Sequence, residues 1–456
     1  MIEERHAEKA NRVLVSVIIP AYNAESRIKR CILSAAQQAF DGKEIIVVDD
    51  GSQDDTARRA EELAAICNAV TVIRASHHCQ GAARNIGIRK SSGQYLVFLD
   101  ADDQLKEGAL NSLYNSAIEL DADLLTFDCD RVPDSYGTPF AERAELVPGN
   151  RVYTGKDFWN KYHDLGGVYY SAPLHFVNKA FLIQNDLFFE EDLYYEDNDW
   201  IVRAYNSAGR VVYLPEKLYV AENRVDSTTN KMPSTRTIIS VFKIQEILRG
   251  MLVSGKYSKN MMYNVAEQNL ARLEKMRSVL FSDEVKKSFS EMISLYKGSV
   301  SDVLDEDLFD MDYLFWKAVG TAASAQGMTD SMDAAIETLR NLITAFYGMS
   351  GDSSTAIWGT GDISRRFIRW CGDRGIDLPK DTVFIETTPG SVEFMKHRVI
   401  AAGDVDWNMI ETIVLAASAE NRSRIIKSIP DEQRHKIRQV HPLLLEGRLS
   451  YDRKEI

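Results

Sequence analysis

The sequence predicts an α/β protein: a doubly wound, mainly parallel sheet, then an α-helical region, then a small second α/β unit. Three observations carry this. Apolar, β-branched runs alternate with segments of helical spacing from residue 13 to about 130. The runs are continuously apolar rather than alternating, as in strands buried on both faces of a parallel sheet. The segments between them are long enough to act as crossover helices, whose connections are short and right-handed.

Taken in order, "VLVSVIIP" is the first strand and "ESRIKRCILSAAQQ" the first helix. "KEIIVVDD", "AVTVIRA", "QYLVFLD" and "ADLLTFDCD" are further strands. They are separated by the helical "DDTARRAEELAAIC", "GAARNIGIRKS" and "KEGALNSLYNSAIEL". From about 131 to 230 the pattern is less regular and rich in aromatics, with a last strand at "RVVYLPEKLYV". Residues 235 to about 345 read as amphipathic helices with little chemistry. The polar break "GMSGDSST" reads as a linker. Beyond it come "TAIWGTG", the helix "DISRRFIRWCGDRG", "TVFIE" and "TIVLAAS". The expected domains are therefore 1–232, 233–348 and 349–456.

Composition narrows the classes. At 456 residues the chain has room for several cores. A net charge of −13 argues against nonspecific binding to nucleic acid or to an anionic bilayer, both of which need a basic surface. That balance leaves room for a local basic patch, and "KLYVAENRVDSTTNK" is a stretch that could contribute one. Cys31, Cys67, Cys79, Cys129 and Cys371 are odd in number and lack a CxxC spacing, which fits free thiols in a reducing compartment. The charged N-terminus has no apolar core of a signal peptide, and no apolar run approaches the ~20 residues of a membrane span. The expected location is cytoplasmic, with peripheral membrane attachment and a homo-oligomer both compatible with the sequence.

The chemistry gathers at strand ends. Pro20-Ala21-Tyr22, Asp49-Asp50-Gly51 and Asp100-Ala101-Asp102 all follow parallel strands. Ligands of open parallel sheets bind in the crevice outside those carboxyl ends. Asp100, Asp102 and Asp103 crowd three carboxylates into four positions, which repel unless a cation or donors hold them ionised. Carboxylates without Cys or His suit Mg²⁺ or Mn²⁺ completed by water and substrate phosphates. Arg84 opens a helix after Gly81 and has the planar fork for phosphate oxygens. Metal and guanidinium beside a diphosphate would stabilise it as a leaving group. For the base, "YYEDNDW" offers Glu196, Asp197 and Asp199, the plain alternative being helix capping.

These motifs resemble family 2 glycosyltransferases of the GT-A fold, inverting enzymes that use nucleotide-diphospho-sugars. The resemblance runs from residue 13 to about 230 through "VSVIIPAYNAESRIKRCILSAAQQAFDGKEIIVVDDGSQDDT", "AARNIGI", "GQYLVFLDADD" and "FFEEDLYYEDNDW". It implies that Pro20, Ala21 and Tyr22 line a uridine pocket with Glu25 nearby. It implies that Asp50 accepts from the uracil N3–H with Asp49 beside it, and that Arg84 approaches the diphosphate. Asp100 and Ala101 would lie against the ribose, and Asp102 with Asp100 would hold the metal. Asp103 would back them or reach the donor sugar. Asp197 would be the catalytic base and Glu196 a partner for acceptor or donor sugar. The implied partners are a UDP-sugar donor and a glycan or lipid-linked saccharide acceptor of surface polysaccharide or cell-envelope glycan synthesis.

Departures from the family pattern are local. The Asn-x-Gly common before Ala-Arg-Asn is replaced in "SHHCQGAARN". A late His that serves some members as a metal ligand has no counterpart in "YVAENRVDSTT", and the QxxRW of processive synthases is missing. His77-His78-Cys79 is a poor zinc site, because adjacent residues do not converge on one ion. Trp159, Tyr169, Tyr170 and His175 fit sugar stacking and core packing equally well. In the C-terminal unit Gly359-x-Gly361, Ser364 and Glu386 only partly match a dinucleotide fingerprint. A Rossmann-like accessory domain is expected there. The rival readings are an NAD-dependent oxidoreductase centred on that unit and a degenerate, non-catalytic scaffold.

Overall fold

The computed structural model describes residues 12–132, 143–222, 233–277, 279–296, 306–347, 354–360, 362–373, 375–387, 389–391, 393–416 and 419–440. The N-terminal segment, most of the "GMSGDSST" break, Gly361 and the 223–231 part of the basic stretch lie outside them. The chain forms two compact units, Met1–Arg272 and Leu273–Ile456.

The first unit is built on a nine-stranded sheet. Its strands are β1 (Val15–Ala21), β2 (Lys43–Asp49), β3 (Val70–Arg74), β4 (Tyr95–Phe98), β5 (Gln104–Leu105), β6 (Leu124–Val132), β7 (Val152–Tyr153), β8 (His175–Asn178) and β9 (Val211–Glu222). They lie in the order β3-β2-β1-β4-β8-β6-β9-β5, with β7 on β9. The β3-β2-β1-β4 half is parallel throughout. β8 then inserts antiparallel to both β4 and β6, and β6 pairs parallel with β9.

Continuous apolar strands are explained by what covers each face. Val15, Val17, Ile19, Ile45 and Val47 point into one core with the helices Ile28–Ala36, Thr56–Ala64 and Ala109–Glu119. The alternate residues Ile46 and Val48 meet Ala83 of the helix Cys79–Lys90 on the opposite face. Successive side chains of a strand point to opposite faces, so both sets must be apolar.

The irregular region holds a structural element the pattern did not signal. β8 is only four residues long, yet it sits in the middle of the sheet. His175 is fully buried there, bonded through its ring to the Ser171 carbonyl and the Tyr205 hydroxyl. Burial pushes its pKa down to about 3, so it is a neutral core residue. Trp159 and Tyr169 are likewise buried, and the Trp159 indole N–H donates to Asn264.

Thr235–Val253, Lys259–Arg277, Asp283–Tyr296, Glu306–Ala325 and Thr329–Phe346 are helices. No helix among the described residues is long and apolar enough to cross a membrane. In the second unit a six-stranded sheet comprises β10 (Thr355–Trp358), β11 (Val383–Glu386), β12 (Glu393–Phe394), β13 (His397–Ala401), β14 (Thr412–Leu415) and β15 (Ile437–Gln439). Its order is β12-β13-β11-β10-β14-β15, and every pair except β12–β13 is parallel. Ala356, Trp358, Ile385, Ile413 and Leu415 pack with Ile425 and Ile429 to give this sheet its own core.

Candidate active site

Three strand ends meet on one edge of the first sheet. The Asp50 amide donates to the Ala21 carbonyl (2.8 Å), and the Leu99 amide to the Ile18 carbonyl (2.9 Å). The residues after β1, β2 and β4 therefore emerge side by side, as the crevice rule requires. Pro20 and Ala21 are the last residues of β1, in register with Val48 and Asp49.

One end of the crevice is built around Asp50. This buried carboxylate accepts from the His78 amide (2.9 Å) and pairs with His77 Nδ1 (2.8 Å). The His77 ring stacks on Tyr22, with centroids 4.2 Å apart, and Tyr22 is 45% exposed. His77 is thus not an idle loop residue: it ties Asp50 to Tyr22, and nothing in the sequence spacing marked that role. Cys79 occupies the left-handed region (φ 73°), where glycine is favoured. Its neighbours explain how it is held: the Arg236 guanidinium donates to its Sγ (2.8 Å), and burial pushes its thiol pKa up to about 11. Asp49 caps the Ser52 amide (3.3 Å), while its other oxygen is buried without a partner. Glu25 accepts from the Asp55 amide (3.1 Å) and so braces the loop rather than the pocket floor.

The middle of the crevice carries the carboxylate crowd. Asp100 Oδ1 accepts from Gln80 Nε2 (2.6 Å) and Arg84 Nη2 (3.1 Å). Asp103 is buried and accepts from the Tyr219 hydroxyl (2.7 Å) and the Glu222 amide (2.8 Å). Burial, then the charges of Asp100 and Asp102, push its pKa up to about 8. The same three aspartates, after burial, raise the Cys31 thiol. Asp102 is fixed through its backbone, whose carbonyl accepts from Arg30 (2.9 Å). No group of three His, Cys, Asp or Glu among the described residues forms a metal cage. An all-oxygen pair in a strongly negative field fits a hard cation that takes its remaining ligands from phosphate and water.

At the other end, Arg84 is the hub. It is 1% exposed, and its Nη1 donates to Glu196 Oε1 (2.6 Å) and Asp197 Oδ1 (2.8 Å) while Nη2 reaches Asp100. Burial opposes its charge, but Asp197, Asp100 and Glu196 more than compensate, so it stays a cation. The expectation that Arg84 faces a diphosphate meets a guanidinium whose Nη groups are already engaged by carboxylates. Burial followed by Asp197 raises Glu196 to about 7, and burial likewise raises Asp197 against the pull of Arg84. The Asp197 side chain is 20% exposed against 7% for Glu196, and its Oδ2 accepts from the Ala172 amide (3.2 Å). Asp199 is fully buried and held by Arg203 Nε (3.0 Å) and Nη2 (2.7 Å), which makes it a structural ion pair.

The "ARN" tripeptide explains how these distant segments meet. Asn85 donates to the Phe189 carbonyl (2.9 Å) and accepts from the Phe189 amide (2.8 Å), so one side chain satisfies both backbone groups of a strandless segment. Gly81 permits the approach, since a Cβ there would stand 2.5 Å from the Glu190 carbonyl oxygen. Sequence reasoning missed Gln80 and Tyr219 as well as His77. Gln80 lay within a quoted motif, but Tyr219 sits in a strand whose pairing no local pattern reveals.

In the second unit, Glu386 ends β11 and accepts from the Thr360 hydroxyl and the Gly390 amide. Gly359 has φ 111°, and a Cβ there would meet the Ala416 carbonyl at 3.1 Å. Ser364 donates to the Gly359 carbonyl (2.7 Å).

Residues 16–176 match the family model described as Glycosyl transferase family 2. The uncharacterized glycosyltransferase EpsJ of Bacillus subtilis (strain 168) is 30% identical over 223 residues, covering 47% of this chain and 63% of EpsJ. Glycosyltransferase GlyG of Streptococcus pneumoniae serotype 4 is 26% identical over 260 residues, 53% of this chain and 83% of GlyG. Poly(ribitol-phosphate) beta-N-acetylglucosaminyltransferase TarS of Staphylococcus aureus (strain Mu50) is 28% identical over 208 residues, 45% of this chain and 34% of TarS. The crystal structure of S. aureus TarS 1–349 in complex with UDP-GlcNAc superposes with a TM-score of 0.52 at 21% identity, over 70% of this chain and 91% of that one. That likeness establishes the shared fold.

Proposed function

From the match of residues 16–176 to glycosyl transferase family 2, we propose that this chain is an inverting transferase of that family, moving a sugar from a UDP-sugar to a hydroxyl of a glycan or lipid-linked saccharide in cell-envelope glycan synthesis. One observation carries the reading. Arg84 joins Asp100, at the end of the donor-side strand, to Glu196 and Asp197 within a single hydrogen-bonded cluster. A sugar between these groups would have its leaving group on one side and a carboxylate base on the other.

In the reaction, Asp197 takes the proton of the acceptor hydroxyl. The oxygen attacks C1 of the donor sugar from the face opposite the diphosphate, the C1–O bond to UDP breaks, and the configuration inverts. Asp197 has this role because it is the more accessible of the pair and its second oxygen is aimed by the Ala172 amide. Glu196 contacts the acceptor or donor sugar and with Arg84 keeps Asp197 oriented. Tyr22, Pro20 and Ala21 line the uridine pocket, and Asp50, supported by Asp49, accepts from the base. Asp100 and Ala101 lie against the ribose. Arg84 approaches the diphosphate while its Nη groups are shared with Asp100, Glu196 and Asp197. Asp102 and Asp100 would hold a divalent cation, Mn²⁺ or Mg²⁺, which would supply positive charge beside the diphosphate.

The donor class draws support from the solved structure with UDP-GlcNAc, and the acceptor class from the poly(ribitol-phosphate) relative. All five cysteines are free, in keeping with a cytoplasmic location. The helical region and the second sheet serve acceptor binding or assembly. The test is UDP release from UDP-Glc, UDP-Gal, UDP-GlcNAc and UDP-GalNAc, each with and without Mn²⁺. Turnover of one donor that rises with the metal is expected. If no UDP-sugar is bound or turned over, and NADH instead quenches the tryptophan fluorescence, the reading fails.

A further inference from the structure

Glu196 and Asp197 sit where a loop turns into a helix. The Asn198 amide donates to the Tyr195 carbonyl (3.1 Å), closing the turn that opens the helix Asp197–Ser207, with Glu196 as its N-cap. Tyr195 has φ 67°, a backbone region that a bulky side chain adopts at a cost. Such a conformation persists only where the surroundings over-determine it.

Prominent among the surroundings is the side chain of Arg272, on the helix Lys259–Arg277. Its guanidinium lies over the Tyr195 ring, 4.0 Å from the centroid. It also donates from Nη1 (2.7 Å) and Nη2 (2.8 Å) to the Asn198 amide oxygen, in the amide orientation that the hydrogen bonding requires. A flat cation that stacks and forks at once is a property of arginine that lysine lacks. Burial lowers the Arg272 pKa to about 10, with Tyr195 opposing, so it remains charged at neutral pH. These partners are neutral, so stacking and hydrogen bonding rather than ion pairing hold it.

Resting on the assignment of Glu196 and Asp197 as the acidic pair of the transfer reaction, we propose that Arg272 is a positioning residue for that reaction, clamping both flanks of the acid turn so that the Asp197 carboxylate points at the acceptor hydroxyl. It acts through Tyr195 and Asn198. Arg84 grips the carboxylates themselves, and Arg272 grips the backbone that presents them. The consequence is that the reaction geometry depends on a helix well beyond the segment 16–176 that the family model matches.

The test uses the full chain and whichever UDP-sugar of the four-donor panel is turned over. Arg272→Met should lower kcat about 10- to 100-fold, since a displacement of about 1 Å can cost 10²-fold. The Kd for UDP should stay within about twofold, because the donor pocket is untouched. Arg272→Lys keeps the ring contact without the fork and should fall between Met and the parent. Asn198→Ala should resemble Arg272→Met, and the double variant should be no worse than the worse single, as expected for one shared contact. A kcat for Arg272→Met within about twofold of the parent, or two substitutions whose effects multiply, overturns the proposal. Should Arg272→Met lose UDP binding or cooperative melting, Asn198→Ala decides in its place: unchanged kcat there overturns it, and a lowered kcat with intact UDP binding supports it. Asp197→Asn runs alongside. If that variant keeps its activity, the assignment of the acidic pair falls, whereas its inactivity together with a normal Arg272→Met removes only the role of Arg272.

Discussion

The two sheets of this molecule each carry an acid at the end of a strand, but the two acids find their partners differently. At the end of β11, Glu386 is answered by Thr360 and by Gly390 only four residues on. Its charge is absorbed by the loops around it. At the end of β4, Asp100 shares Arg84 with Glu196 and Asp197, which lie 112 and 113 residues from that arginine in sequence. Asp103 needs Tyr219, 116 residues away, and is still pushed up to about 8. An acid whose charge is met locally is a turn. Acids gathered from separate segments around one cation, with negative charge to spare, are arranged for something that arrives from outside.

That contrast can be broken most sharply at Asp197. Asp197→Asn should lower transfer about 10³-fold, within the range for losing a general base, while UDP affinity stays within a few-fold. Isothermal titration with UDP beside a turnover assay checks this, and loss of UDP binding would take Asp197 out of the base role. Arg84→Met should leave three carboxylates without their cation and cost about 3–5 kcal/mol of stability, as for removing one partner of a buried ion pair. Denaturant unfolding measures it, and a change below about 1 kcal/mol would mean that the cluster is screened. Asp102→Ala should weaken metal-dependent UDP binding at least about tenfold, about 1.4 kcal/mol. An unchanged response to Mn²⁺ would refute its place as a ligand.

A smaller effect concerns pH. Glu196 sits at about 7 in the folded chain against an ordinary 4.5. The folded state holds that proton more tightly, so the associated stability is present below pH 4.5 and is lost as pH rises through 7. Melting between about pH 5 and pH 8 should therefore fall less in Glu196→Gln than in the parent; equal slopes would show that Glu196 does not titrate in this window. The smallest effect is expected at the other sheet, where Glu386→Gln should leave UDP-sugar turnover within about twofold, an ordinary result for a substitution outside the reacting centre. A large loss there would end the comparison as drawn.

The parallel half of the first sheet was legible because each strand carries its own apolar run and each helix its own spacing. The acids of the crevice were legible because Asp49, Asp50, Asp100 and Asp102 each follow a strand end, while the roles expected of them came from the family resemblance. What the pattern did not reveal depends on pairings made at long range. β8 is four residues cut from an aromatic-rich stretch, and its position between β4 and β6 follows from sheet closure rather than from its composition. His77 owes its role to a stack on Tyr22 across the crevice. Arg84 shows the same limit from the other side: the residue was found, but its immediate partners were not. A guanidinium reads as a phosphate ligand until the carboxylates that surround it are in view.

The tie made by Asn85 also has a bearing on how the protein comes into being. During synthesis, Arg84 and Asp100 leave the ribosome while Phe189 and the acid turn are still unmade. The nascent chain therefore holds the strand ends of the crevice well before it holds Glu196 and Asp197. Until the Phe189 peptide is made, the Asn85 side chain lacks the two backbone groups it satisfies in the folded chain. A chain that stops short of residue 196 therefore carries Arg84 and Asp100 without the two carboxylates that complete their cluster.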